Sequence, residues 1–408
     1  MSAERLLLER NDFIEVRSSS GWVPLSYVER GGSVFLLASG NNARWCTHLL
    51  RQGRAELRRG GKLSTCSAVL ETDPESRESV ISEFKSKYGA ANFEKWFPRP
   101  GRLVRVDVSR PVTDLPEGNY YSWLETEFDA VACDYDRHIT GNSINMLLRE
   151  RSLWLLGKTF SRPSRLLEVG CGSGMETLPM LLRGHEIVAV DISSSMIEVV
   201  RKKAKSEGLS ERLTTVKVRA GELGRLLADG YSGSFDGCYS TYGAFNCETN
   251  LDKLPEVIHL LLRQGGKFVA GIFNKYCMAE GLAYAMTLRP GRALRRLRNP
   301  IQEGNSRFCV DVYSYTPHEF SAIFSKYFIT GKIFGVPVIL PPSDLDPYAR
   351  KFSGGHDSLK RIDFWLAGKW PFSHVGDHFL VAMARRDTAD LSTGPRPVIL
   401  AEPTAAKA

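Results

Sequence analysis

The sequence predicts an α/β protein in two parts: a β-meander or small barrel, then a sheet of mostly parallel strands carrying helices. Three observations predict this. Residues 12–70 hold short alternating strands separated by glycine turns. From about residue 120, short apolar runs alternate with helical segments, the pattern of a parallel sheet. Between them Pro111, Pro116 and Gly118 mark a boundary near residue 115.

In chain order, "DFIEVRS", "WVPLSYVE", "GSVFLLAS", "RAELRRG" and "LSTCSAVLET" are the expected barrel strands. "SRESVISEFKSKYG" reads as a helix with Pro74 near its start, and "RLVRVDVSRP" as one more strand. In the second part, "RLLEV", "EIVAVD", "TTVKV", "FDGCYS" and "KFVAGIF" are expected as buried parallel strands. "KYFITGKIFGV" and "DHFLVAMARR" add two strands near the end. The Pro/Ala-rich tail 388–408 is expected to be disordered.

The net charge is +8 and 43% of the residues are hydrophobic, so sizeable cores can form. The mild positive charge comes without a nucleic-acid recognition motif, so nucleic acid is not expected as a partner. The eight cysteines form no CxxC pair and have no zinc-ligand spacing, which reads as reduced and cytoplasmic, with no metal. The N-terminus is too charged for a signal peptide, and no run approaches the ~20 apolar residues of a membrane span.

The chemistry centres on "RLLEVGCGSG", residues 165–174. A strand running into Gly170, Gly172 and Gly174, followed by a helix, suggests a nucleotide-type ligand at the carboxyl edge of the sheet. A phosphate-cradling loop would need Gly-Lys-Ser/Thr, which is missing. A dinucleotide fingerprint would need GxGxxG, and the third glycine comes one residue early. Glu168 before the loop suits a ligand carrying positive charge. Asp191, ending the next strand, can accept hydrogen bonds from two ribose hydroxyls. A nucleoside with a cationic or zwitterionic tail and no pyrophosphate fits both acids, and S-adenosyl-L-methionine is such a molecule.

From about residue 120 to 387 the chain resembles the class I S-adenosylmethionine-dependent methyltransferases. The resemblance rests on "LLEVGCGSG", "VDISSSMIEVVRKKA", "FDGCYSTYGAFNC" and "LLRQGGKFVAGIF", with "FDAVACDYDRHITGNSINMLLRERS" similar to their cap helices. It implies a Rossmann-like sheet over 116–387, a cap over 119–160, a lid over 275–375 and methyl transfer from S-adenosyl-L-methionine. Gly170, Gly172 and Gly174 would let the backbone approach the ligand. Glu168 would orient its ammonium end, and Asp191 would hold the ribose. Ile192 and Met196 would pack on the adenine, with Ala220, Gly221 and Glu222 at its edge. Ser240 and Thr241 would face the transferred methyl, and Tyr135 and Arg149 the carboxylate.

A general base is needed only for a protonated acceptor, and His374 and His378 are the candidates. The apolar, aromatic stretch 270–375 suits a small aromatic or lipophilic substrate. Arg289, Arg292, Arg295, Arg296 and Arg298 offer a clamp for an acidic group, a membrane-surface contact or a solvated helix face.

Residues 1–115 resemble the split β-barrel of the deazaflavin-dependent nitroreductases. Arg17, Ser20, Pro24, Ala38, Ser39, Gly40 and Trp45 carry the pattern, while the usual Lys-Ser-Gly has become "RSSSG". The resemblance implies a barrel that binds a deazaflavin or flavin, or else one that serves a homodimer or presents substrate. Two function classes follow: a small-molecule methyltransferase with an accessory barrel, and a redox protein using the barrel's coenzyme.

Overall fold

The structure, a computed structural model, describes residues 13–18, 21–40, 43–59, 62–111, 118–286, 295–297, 301–305, 308–343 and 356–387. The tail expected to be disordered, and Ser20, Arg289, Arg292 and Arg298, lie outside these residues. The chain divides into two compact units, Met1–Glu127 with Gly304–Val310, and Phe128–Glu303 with Asp311–Ala408.

The first unit is built on a closed barrel. Its strands are β1 (Phe13–Ser18), β2 (Gly21–Arg30), β3 (Ser33–Ser39), β4 (Arg54–Arg59), β5 (Lys62–Leu70) and β6 (Pro100–Pro111). They pair in the order β1-β2-β3-β6-β5-β4, and antiparallel pairing of β1 with β4 closes the ring. Strand β1 shows the alternation expected of a barrel wall, with Ile14 and Val16 inward. In β3 six successive residues are buried because its outer face is covered as well. Its Phe35 and Leu37 share a core with Val80, Phe84 and Tyr88 of α2 (Pro74–Tyr88) and Phe93 of α3 (Ala90–Trp96). Asp73 caps α2 by accepting from Ser76 N at 2.8 Å, and Pro74 sits in its first turn, where no N–H is needed. The helix α1 (Arg44–Gln52) follows Gly40.

The second unit is a Rossmann-like three-layer sheet. Strands β7 (Arg165–Val169), β8 (Glu186–Asp191), β9 (Leu213–Lys217), β10 (Phe235–Thr241) and β11 (Leu262–Phe273) are mutually parallel. Strands β12 (Ile301–Asn305) and β13 (Phe308–Val312) form a separate two-stranded sheet, of which Gly304–Val310 belong to the first unit. Strands β14 (Phe328–Val336) and β15 (His378–Arg385) complete the sheet, whose order is β14-β15-β11-β10-β7-β8-β9, with β15 antiparallel to both neighbours. Leu167 and Val169 enter one apolar layer and Leu166 the other, as a strand covered on both faces requires. The chain runs outward from β7 through β8 to β9 and then returns to β10 on β7's other side. That reversal leaves a crevice beyond the carboxyl ends of β7 and β10, the usual ligand position in such sheets.

The stretch expected as a lid contributes to this core. Phe320 and Phe324, on the helix Pro317–Phe324, and Phe328 of β14 are essentially fully buried; Phe324 stacks on both Phe320 and Phe268 of β11, and Phe328 lies tilted against Phe268. Among the described residues no helix is long and apolar enough to cross a membrane.

Candidate active site

The loop after β7 turns back through three glycines at positive φ: Gly170 at 74°, Gly172 at 52° and Gly174 at 84°. They do different things. A Cβ on Gly170 would run into the Ala244 side chain, in the loop that follows β10. At Gly174, just before α7 (Thr177–Leu182), it would press on Val200 of α8 (Ser194–Ser206), at 3.1 Å. At Gly172 it would meet nothing within 4 Å. Gly172 is thus the glycine of the three whose backbone is not covered by a neighbouring side chain.

Asp191 ends β8 beside this loop. Its Oδ2 accepts from Gly172 N at 2.8 Å and its Oδ1 from Ser193 N at 2.9 Å. Burial pushes its pKa up to about 6, against those two hydrogen bonds. Glu168 lies on β7 opposite Tyr239 of β10 and accepts from Thr177 Oγ1 at 2.6 Å. Burial, with Glu176 nearby, raises its pKa to about 8. Glu176, 3% exposed, takes both its bonds to Arg149 from a single nitrogen, Nη1, at 2.8 and 2.9 Å. Arg149's Nε and Nη2 bond nothing among the described residues.

The cap reaches this site through α4 (Gly118–Val131), α5 (Tyr135–Thr140) and α6 (Ser143–Thr159), which carries Arg149. Asp129 Oδ1 accepts from Ser193 Oγ at 2.6 Å and Ser195 N at 3.0 Å, at the start of α8. Asp136 pairs with Lys203, which also donates to Ser173 O of the glycine loop at 2.7 Å. Tyr135 feels Arg149, Glu176 and Asp191 electrostatically, and burial raises its hydroxyl's pKa. The sequence-chosen Tyr135, Arg149, Glu168, Gly172 and Asp191 are therefore brought together.

The other candidates are placed as follows. Met196 and Ala220 are buried, while Ile192 is partly exposed. Gly221 N donates to Glu248 Oε1 at 2.7 Å, and Glu222 pairs with Arg219 and Arg225. Ser240 donates to Val169 O at 2.8 Å, tying β10 to β7, and Thr241 is buried at the strand end. His374 shares a 2.9 Å bond between its Nδ1 and Ser373 Oγ, and burial lowers its pKa. His378 opens β15 with Nδ1 3.0 Å from Asp377 Oδ2.

One expectation is corrected. Arg296 is not a clamp reaching for a substrate acid: it is 3% exposed and already bonded to Glu280 and Asp377. Cys277, Glu280 and Asp377 offer the donor types of a cation site, but the guanidinium bonds both carboxylates.

Sequence reasoning missed Tyr242. It stands at φ 54°, the one non-glycine at positive φ among the described residues. For a bulky side chain this is a true outlier, of the kind that clusters at functional sites. It is held there by N–H donation to Gly271 O at 3.1 Å and hydroxyl donation to Leu148 O at 2.6 Å. The neighbouring Gly243 is the only local sign of the turn.

A family model described as a methyltransferase domain matches residues 167–270, from β7 through the glycine loop to β11. Over these residues the chain is similar to a methyltransferase domain. Among its relatives is the demethylmenaquinone methyltransferase of Bacteroides fragilis, 30% identical over 158 residues, covering 38% of this chain and 61% of that protein. Another is an 18S rRNA (guanine-N(7))-methyltransferase of Schizosaccharomyces pombe, 30% identical over 176 residues, covering 40% of this chain and 58% of the relative. The chain thus spans about three fifths of these relatives' length. A solved 1,6-didemethyltoxoflavin-N1-methyltransferase of Burkholderia thailandensis is 18% identical, with TM-score 0.41, over 68% of this chain and 93% of that one. The matched residues contain Glu168, the glycine loop, Asp191, Ser240 and Tyr242, while the cap and His378 lie outside them.

Proposed function

We propose that this chain transfers the methyl group of S-adenosyl-L-methionine to a small aromatic or lipophilic acceptor. One observation carries the reading. The buried carboxylates Glu168, Glu176 and Asp191 gather around the glycine loop, with the single guanidinium Arg149 bonded to one of them. A water-poor site with excess acid attracts a ligand carrying sulfonium and ammonium charges and would repel a pyrophosphate.

In this reading Asp191 accepts from the ribose hydroxyls and Glu168 balances the ammonium. Gly172 lies along the amino-acid part, and the free nitrogens of Arg149 take the ligand's carboxylate with Tyr135 beside it. The sulfonium is a good leaving group, so the enzyme mainly aligns acceptor, methyl carbon and sulfur and keeps water out. The tied cap helices serve that exclusion. Relatives named for quinone and RNA substrates leave the acceptor class to other grounds. The aromatic rim of Tyr242, Phe273 and His378 favours a small molecule.

The test combines calorimetry with label transfer. S-adenosylhomocysteine should bind the full chain, and Asp191→Ala should weaken binding by about 1.5–3 kcal/mol, roughly ten- to a hundredfold. Methyl-labelled S-adenosylmethionine, offered metabolite, protein and RNA pools, should label small molecules. Label confined to macromolecules rejects the acceptor class, and absence of binding rejects the whole reading.

A further inference from the structure

We propose that His378 is the base that removes the acceptor's proton, with Asp377 and Arg296 as its positioning residues, so that the acceptor is a hydroxyl or N–H group. The inference rests on the methyltransferase reading above and specifies its acceptor.

The placement comes first. Strand β15 runs antiparallel to β11, so its first residue, His378, pairs with the last residue of β11, Phe273. His378 therefore stands at the carboxyl edge of the parallel strands, where the ligand crevice lies. Its ring meets Tyr242 edge-on at 5.2 Å and 90°, and Phe273 at 5.2 Å and 80°. Its side chain is 14% exposed, enough for an acceptor to reach.

The tautomer is fixed from behind. Asp377 is 1% exposed, and its Oδ1 is bonded by Arg296 Nη2. Burial alone would raise the Asp377 carboxyl, but the guanidinium and the His378 ring outweigh it and hold it well below the usual carboxylate range. An ionised carboxylate only accepts, so the 3.0 Å contact requires His378 Nδ1 to carry the hydrogen. The lone pair of the neutral ring is then on Nε2, which bonds nothing among the described residues.

Arg296 is held in turn by Glu280 Oε2 at 2.7 Å and by the carbonyls of Asn274 at 3.0 Å and Asp377 at 2.9 Å. The other ionisable neighbours are Cys277, whose thiol burial pushes up to about 12, and the Arg149–Glu176 pair behind Tyr242. A buried ion cluster made only for stability does not need an imidazole at its exposed end with one nitrogen free.

The step balances as follows. A lone pair on the acceptor's oxygen or nitrogen forms the bond to the methyl carbon. The carbon–sulfur bond breaks and its electrons return to sulfur, leaving the neutral thioether. The acceptor's proton passes to His378 Nε2 and then to water. General bases of this kind contribute about 10²–10⁴-fold.

Two measurements on the full chain test it. In ¹⁵N-histidine NMR with S-adenosylhomocysteine bound, the signal lost in His378→Gln should report an Nδ1–H tautomer, and Asp377→Asn should disturb it. An Nε2–H tautomer overturns the proposal, whichever acceptor is eventually found. Methyl-labelled S-adenosylmethionine with a panel of simple phenols and N–H heteroaromatics gives kcat. His378→Gln should lower kcat by about a hundredfold or more while KM for S-adenosylmethionine stays within about twofold. An unchanged kcat with S-adenosylhomocysteine still bound overturns the base and leaves methyl transfer standing. Absence of S-adenosylhomocysteine binding by the wild type fails the earlier reading instead.

Discussion

Glu168 holds its proton at neutral pH, because burial raises its pKa to about 8. The folded chain keeps that proton to a higher pH than the unfolded chain does. Raising the pH from about 5 to about 8 therefore costs folding stability at this position. A bound ammonium reverses the balance by favouring the carboxylate. Calorimetry of S-adenosylhomocysteine binding at pH 7, in buffers of different ionisation heat, should show release of about one proton. Glu168→Gln should abolish the release and remove the part of the stability loss that falls between about pH 6 and 8, above the range of Asp191. The acid was legible from the sequence because it preceded a glycine loop; its protonation was not, since that depends on Thr177, Glu176 and depth. The three glycines were likewise identical as letters. Only the packing shows that Gly170 yields to Ala244 and Gly174 to Val200, leaving Gly172 uncovered by a neighbouring side chain.

At the scale of elements, the cap is fastened to the sheet by few side chains. Asp129 accepts from both Ser193 and Ser195 and so supplements the N-cap that Ser193 gives α8. Its carboxylate also raises the Asp191 pKa. Asp129→Ala should lower stability by about 1 kcal/mol, the usual value of a cap. If the fastening retains ligand, stopped-flow should show S-adenosylhomocysteine leaving several-fold faster, with little change in its arrival. The strands were legible because a doubly covered strand is a bare apolar run bounded by turns. The role of 317–328 was not. Phe320, Phe324 and Phe328 have a four-residue spacing, but tertiary burial, invisible in composition, makes them core and not lid. Arg296 shows the same limit: a basic run reads as surface until Glu280 and Asp377 arrive from elsewhere in the chain.

For the whole molecule, the residues assigned to the ligand all lie in the unit Phe128–Glu303 with Asp311–Ala408. A chain lacking residues 1–115 should therefore bind S-adenosylhomocysteine within about threefold of the full chain, provided it stays folded by circular dichroism. A larger loss would assign the barrel a part in the site. Glu127 shows why the division falls after the linker expected from Pro116 and Gly118: it is buried on Arg102 of β6, at 2.6 Å, and so belongs with the barrel. The prolines were legible, but a salt bridge between residues 25 positions apart was not. The ring of six strands has one more consequence. With β1 paired to both β2 and β4, the ring is closed, and among the described residues no barrel strand is left without a neighbour on either side, so little backbone rim is open for another polypeptide to zip onto. A second copy seated on the barrel would have to recognise it by side-chain shape and charge, so such pairing would be tunable by surface substitution and would not seed fibrils.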